Sequence, residues 1–281
     1  MEIKITNQLA ALAHPKRLAM FRLLMRRYPD GVPAGEISTA LELKANTASS
    51  YLSRLKQVGL IAQTRTGTTL RYSANVPMLR GLFDGLLSGC CQNRPDICLR
   101  PTSQFTIPSI ERPLNVLFLC SGNSARSILA ETLLTSIGGG KFQAFSAGTT
   151  PSGAPHSEVL ALLTRNGHSV DSLASKPLDV FTAPDAPTMD IAFTVCDQAA
   201  NEECPTWPGH PMKAHWGLSD PLLAIGNIPR AIEQTYDILK NRIESFTALP
   251  FDRLDPPSLQ HHLDDLGQKN TSEKPLRKPI T

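Results

Sequence analysis

No window of the chain approaches the roughly 18 uninterrupted apolar residues that a membrane-crossing helix needs, so no membrane association is expected. The first residues, MEIKITNQLAALAHPKR, lack an apolar core followed by a small-residue cleavage site. No secretory signal is therefore expected, and the chain is expected in the cytoplasm. Internal repeats are absent as well. Without an oxidising compartment the six cysteines are not expected to form stable structural disulfides. They become candidates for catalytic, redox or metal-binding work, and they fall into two sets: Cys90, Cys91 and Cys98, then Cys120, Cys196 and Cys204.

What is present is enough chain for two domains. The 281 residues exceed one small domain, and 41% hydrophobic with 19% charged residues is an ordinary globular composition. The net charge of +3 is unevenly spread, with a basic front of 111 residues and an acidic remainder. That asymmetry fits a nucleic-acid module joined to something else. Between Leu99 and Pro113 the run LRPTSQFTIPSIERP has three prolines and no sustained period, the mark of a linker. The expected division is 1–98, a linker at 99–112, a second domain at 113–266, and a polar disordered tail at 267–281.

Helical periods dominate the front. Asn7–Tyr28 is helical with a break near His14-Pro15, Gly35–Leu41 is a short helix, and Lys44–Val58 is another, ended by Gly59. Two short strands around Thr66–Thr68 form a hairpin, and Pro77–Leu87 closes with an apolar helix. Short helix, turn, second helix and basic hairpin spell a winged helix-turn-helix. Its recognition helix offers Asn46, Thr47, Ser49, Ser50, Tyr51 and Arg54 to base edges and phosphates. Arg65 and Arg71 sit on the wing, while Leu52, Leu55 and Val58 face the core. The back half alternates. Leu114–Leu119, Phe142–Ala147 and Asp190–Val195 are strands, and Ser124–Ser136, Pro155–Asn166 and Ile228–Ala248 are helices. This order predicts a parallel α/β sheet.

At the first strand's end stands Cys120-Ser121-Gly122-Asn123-Ser124-Ala125-Arg126-Ser127, a Cys-x5-Arg opening a helix. Backbone N–H groups of such a loop converge on a tetrahedral oxyanion at a helix N-terminus. The same field is expected to depress the pKa of Cys120 and make it a thiolate nucleophile. Arg126 supplies a bidentate fork. Asn123 tolerates a left-handed backbone, and Ser127 can donate to the sulfur.

These residues carry two resemblances. LAALAHPKRLAMFRLL, NTASSYLSRLKQVGLI and RTGTTLRY, within residues 5–98, resemble the ArsR/SmtB repressors, although Tyr51 stands where many members have histidine. The resemblance implies a homodimer on operator DNA. Gly35–Leu43 contains no cysteine and Pro77–Leu87 no histidine, so two of that family's metal sites are missing. Cys90, Cys91 and Cys98 resemble the three-thiolate arsenite site of some members, and soft thiolates suit trivalent arsenic.

The Cys-x5-Arg loop with Asp220-Pro221 resembles the low-molecular-weight tyrosine phosphatases, and by itself the loop fits a phosphatase or a reductase. Cys196 and Cys204, in TVCDQAANEECPTWPGHPMKAHWGLSDP, resemble the redox segment of arsenate reductases built on that fold. The resemblance implies attack on arsenate by Cys120, with Arg126 holding the oxyanion and Asp220 donating a proton. A relay through Cys196 and Cys204 follows, and thioredoxin or glutaredoxin/glutathione is the external reductant. No tightly bound cofactor is implied beyond potassium in some relatives. Asn123, Glu131 and Ser146 match three of the potassium positions, but Lys176 stands where a carboxylate is expected, and its ammonium is expected to replace the ion. The alternative is a tyrosine phosphatase fused to a DNA-binding regulator.

Overall fold

The computed structural model describes residues 2–90, 112–183, 185–202 and 211–268. The chain divides into two compact units. The first comprises residues 1–106 with 197–206, and the second comprises 107–196 with 207–281.

In the first unit the predicted break falls where proline puts it. Helix α1, Glu2–Leu12, stops, and α2, Pro15–Arg26, restarts with Pro15 in the first turn, where a missing N–H costs nothing. A two-residue strand β1, Val32–Pro33, leads into α3, Ala34–Ala40, and α4, Ala45–Gln57. Helix α4 buries Ala48, Leu52 and Leu55, spaced so that one face points inward. Strands β2, Ile61–Thr66, and β3, Thr69–Ala74, pair antiparallel through a two-residue turn in which Gly67 takes φ +61°. β1 adds to the other edge of β3. Helix α5, Val76–Gly85, is capped by the Asn75 side chain and ends in a single π turn, Leu86–Cys90. Met20, Leu23, Leu24, Ile37, Leu52, Leu55 and Leu60 form the core. This is the expected winged helix-turn-helix, with β1 added.

The second unit contains four parallel strands: β4, Leu114–Cys120; β5, Phe142–Gly148; β6, Ile191–Thr194; and β7, Met212–His215. Their order is β5-β4-β6-β7. β4 is almost wholly buried, as a central parallel strand covered on both faces must be. Helices α6, Arg126–Ile137, and α7, Ser157–Arg165, follow β4 and β5. Helix α8, Asp197–Asn201, grouped with the first unit, precedes β7. Helices α9, Ile228–Thr247, and α10, Pro256–Gln268, follow β7. An aromatic stack of Phe118, Phe193, Trp216 and Phe246 fills the space under the sheet, with Phe193 and Trp216 centroids 3.9 Å apart.

From β4 the chain goes first to β5 on one side and later to β6 on the other. The C-terminal end of β4 is thus the switch point where open α/β sheets form their crevice, and Cys120 is the last residue of that strand. Three elements here exceed the sequence expectation: α8 and β7 are additions to it, and α10 runs to Gln268, two residues into the segment expected to be tail. Gly267 lies so close to the His215 carbonyl that a Cβ there would collide with it. Arg242, 1% exposed, donates to the carbonyls of Trp216 and Gly267, which ties α10 to the sheet. Residues 99–111 of the linker expected at 99–112, residues 269–281 of the tail expected at 267–281, and Cys91, Cys98 and Cys204 lie outside the described residues.

Candidate functional site

The loop between β4 and α6 is held from outside by its carbonyls. Parallel pairing sets Cys120 opposite Gly148, so the chain leaving β5 runs alongside the loop. There the N–H groups of Thr149, Thr150 and Ser152 donate to the carbonyls of Cys120, Ser121 and Gly122, and His156 N–H to Ser124. The Ser175 hydroxyl donates to Gly122 from a third segment. These bonds engage the loop's carbonyls and none of its N–H groups, which is the division of labour that an anion cradle requires. The Asn123 N–H already points at the Cys120 sulfur, 3.0 Å away. Asn123 adopts φ +47°, the left-handed conformation expected of it, and is completely buried.

Cys120 is 2% exposed, with the Ser127 hydroxyl 2.9 Å from its sulfur. Here the sequence expectation is corrected. Burial pushes the thiol above its ordinary pKa, and the hydrogen bonds from Ser127 and Asn123 offset that only in part. Cys196, just beyond β6, raises it further. The expectation weighed the field of the helix N-terminus and left out the cost of desolvating a thiolate.

Arg126 opens α6. Its Nη1 donates to the Leu218 carbonyl at 2.9 Å, and its Nη2 pairs with Asp220 Oδ2 at 2.6 Å. Its Nε is buried with no hydrogen-bond partner. A buried guanidinium donor left unmade is costly, and the oxyanion of the cradle is the ligand that would satisfy it. Asp220 is fixed by a second bond, accepting from Leu222 N–H at the start of the turn Pro221–Leu223. Residues about 100 positions apart in sequence thus meet at one end of the sheet. Cys196 is buried beside them, its sulfur 3.5 Å from the Ser121 hydroxyl. Neither Cys120 nor Cys196 is in a disulfide.

Behind the loop the residues expected to surround potassium are occupied differently. The Lys176 ammonium donates to Glu131 Oε1 at 2.8 Å, and the Ser146 hydroxyl takes Oε2. A cation is already supplied by the chain, and both carboxylate oxygens are engaged. These residues do not fit a bound potassium ion.

In the first unit Asn46, Ser49, Ser50 and Arg54 are exposed on α4, and Thr47 is half-buried. Tyr51 is different: its hydroxyl lies 3.3 Å from His14 Nε2, its ring packs against the His14 ring, and the Arg17 guanidinium sits over it. Arg65 is exposed at the wing tip. Arg71 is half-buried and donates to the Gly31 carbonyl. Cys90 is exposed at the end of the π turn. Sequence reasoning missed Gly148, Ser175, the anchoring N–H groups at 149–156 and the Leu218 carbonyl. None belongs to a local motif: the register of β4 on β5 brings Gly148 and the N–H groups after it to the loop, and the bridge between Gly148 and Pro177 brings Ser175.

The family model for "Low molecular weight phosphotyrosine protein phosphatase" matches residues 115–255, and one for "Helix-turn-helix domain" matches residues 12–64. An arsenate reductase of Bacillus cereus is 29% identical over 138 residues, covering 49% of this chain and 97% of that protein. One of Bacillus subtilis is 29% identical over 134 residues, covering 47% and 93%. A solved arsenate reductase in its oxidised state is 26% identical, covers 48% of this chain and 96% of its own, and gives a TM-score of 0.41.

Proposed function

The chain belongs to the low molecular weight phosphotyrosine protein phosphatase family through residues 115–255, and on that premise we propose that it is a bifunctional arsenic-resistance protein. Its second unit reduces arsenate to arsenite, and its first unit is a transcriptional repressor released by arsenite. The observation that carries the reading is Cys196. Hydrolysis of a phosphate ester needs one thiol, and a second buried thiol beside the loop of Cys120 is what a two-electron reduction requires. The relatives named arsenate reductases support the same choice.

The chemistry proceeds in three thiol steps. The arsenate oxyanion enters the N–H cradle of residues 121–126 and takes up the orphaned Nε of Arg126. Its arrival opens the Arg126–Asp220 pair. The Cys120 sulfur bonds to As(V), and Asp220 delivers a proton to the departing oxygen, which leaves as water. Cys196 then attacks the Cys120 sulfur. The S–As bond breaks, arsenic keeps the electron pair, and arsenite leaves as As(III) while two thiols become one disulfide. Cys204 attacks Cys196, Cys120 departs as thiolate, and the Cys196–Cys204 disulfide remains for an external thiol reductant of the thioredoxin or glutaredoxin/glutathione class.

In the first unit, α4 and the wing meet operator DNA as a homodimer. Thiolates of Cys90, Cys91 and Cys98 take the arsenite, and its binding must favour the DNA-incompetent state. The test uses the full chain with arsenate and either reductant system, set against an aryl phosphate. Arsenate turnover lost in Cys196→Ser is the expected result. Aryl phosphate hydrolysis without arsenate reduction would overturn it in favour of a phosphatase.

A further inference from the structure

The misfit of potassium has a positive side. Lys176 touches the region behind the loop at two points. Its backbone N–H donates to Asn123 Oδ1 at 2.6 Å, and its ammonium donates to Glu131 at 2.8 Å. Between these points Asn123 Nδ2 donates to Ser146 Oγ at 2.8 Å, and Ser146 donates to Glu131. The four residues form a closed ring of hydrogen bonds, sealed by the two ends of one lysine. A carboxylate only accepts, so the Ser146 hydrogen is committed to Glu131 and its lone pair to Asn123. The second Nδ2 hydrogen of Asn123 goes to Ser127 Oγ at 2.9 Å. That leaves the Ser127 hydrogen for the Cys120 sulfur. Asn123, Ser127 and Ser146 are all completely buried, so no solvent can substitute for a missing member.

We propose that Lys176 is a positioning residue whose ammonium closes this ring, holding Asn123 in its left-handed conformation so that two donors stay aimed at the Cys120 sulfur. The chain thereby carries its own cation and needs none from solution. The inference rests on Cys120 as nucleophile but not on the identity of the oxyanion.

The experiment reads the thiol directly. Full-length protein is alkylated with iodoacetamide across a pH series, and modification of the Cys120 peptide is followed by mass spectrometry. Donors to sulfur favour the thiolate, and Cys196 is the titratable neighbour that opposes it. Losing donor alignment moves the profile to higher pH. In Lys176→Met the rate at neutral pH is expected to fall about tenfold, the scale of one charge-assisted hydrogen bond. Lys176→Arg should restore most of it. Glu131→Gln, whose amide can donate as well as accept, should shift the profile like Lys176→Met, and the double variant should shift it no further. Replacing potassium chloride by tetramethylammonium chloride should leave the wild-type profile unmoved. Lys176→Met and Glu131→Gln profiles that superpose on wild type would overturn the proposal, as would additive shifts or a wild-type response to potassium. No arsenate is involved, so a failure here is separable from a failure of the proposed reduction.

Discussion

Gly148→Ala should cripple the cradle while leaving the fold standing. A Cβ at residue 148 would lie 2.5 Å from the Ser121 carbonyl oxygen, with Asn123 Cβ at 3.0 Å and Asn123 N at 3.1 Å. An ordinary contact needs roughly 3.4 Å or more, so the Ser121–Gly122 peptide would have to retreat by about 0.9 Å. That peptide is already bonded on its outer side to Thr150 N–H. Overpacking of this kind costs about 1–3 kcal/mol, which lowers the melting temperature by roughly 2–10 °C for a unit of this size. Activity should suffer far more, because displacing one oxyanion donor costs about 10²–10³ in turnover. Gly122→Ala is the control. Its Cβ would meet Ser152 Oγ at 2.6 Å, the tip of a side chain that can rotate away, so its loss should stay within about tenfold, roughly 1.4 kcal/mol. Adding Ser152→Ala should recover it. The assays are kcat/KM for arsenate and protection of Cys120 from iodoacetamide by inorganic phosphate. Wild-type turnover and protection in Gly148→Ala would refute the argument that this close approach shapes the cradle.

Other expectations follow from the same geometry. Cys120→Ser should abolish arsenate reduction and leave operator binding in a mobility-shift titration unchanged; substantial residual turnover would remove Cys120 as nucleophile. Asp264, on α10, is pushed up to about 6 by burial. A raised carboxyl pKa means that stability is highest below its unfolded value and is lost as pH rises through about 6. Asp264→Asn should therefore be more stable than wild type at pH 7.5 by about 1 kcal/mol, discounted for partial exposure. That advantage should vanish near pH 4 in thermal melts, and a pH-independent difference would contradict the assignment. Replacing Cys90, Cys91 and Cys98 by serine should give a repressor that binds operator and ignores arsenite. Normal release by arsenite in that variant would move the sensor elsewhere.

What the sequence disclosed depended on how locally each feature is encoded. The face of α4 was legible because Leu52 and Leu55 recur at helical spacing, and both are buried. β4 was legible as an apolar run interrupted only by Asn115. β1 and β7, with two and four residues, are too short for a period to register. In α10 the helix with His261 and His262 on its exposed face was legible, and only its end was not, because Gly267 and Gln268 carry no apolar period of their own. At the site, Cys120 and Arg126 came from one contiguous motif and Asp220 from a family likeness. The direction of the Cys120 shift was misjudged because burial is a property of the whole fold, whereas the motif shows only the donors. Tyr51 was assigned outward by its place on α4, and its partner His14, 37 residues away, was invisible to that reasoning.

The outer anchoring of the cradle has a consequence for how this protein can diversify. The donors at 149, 150, 152 and 156 are main-chain atoms, which every amino acid but proline possesses. Apart from Gly153, held at φ +86°, and His156, whose ring caps α7, side chains in this stretch can therefore change in kind while the template for the oxyanion persists. The natural prolines already obey the rule: Pro151 and Pro155 fall between the donating positions, where no N–H is called upon. A library randomised across 149–156 and selected for arsenate tolerance should thus discard proline at the four donor positions and accept it at its present two. Selection here acts on one missing hydrogen atom, and the ordinary vocabulary of conservative replacement does not describe it.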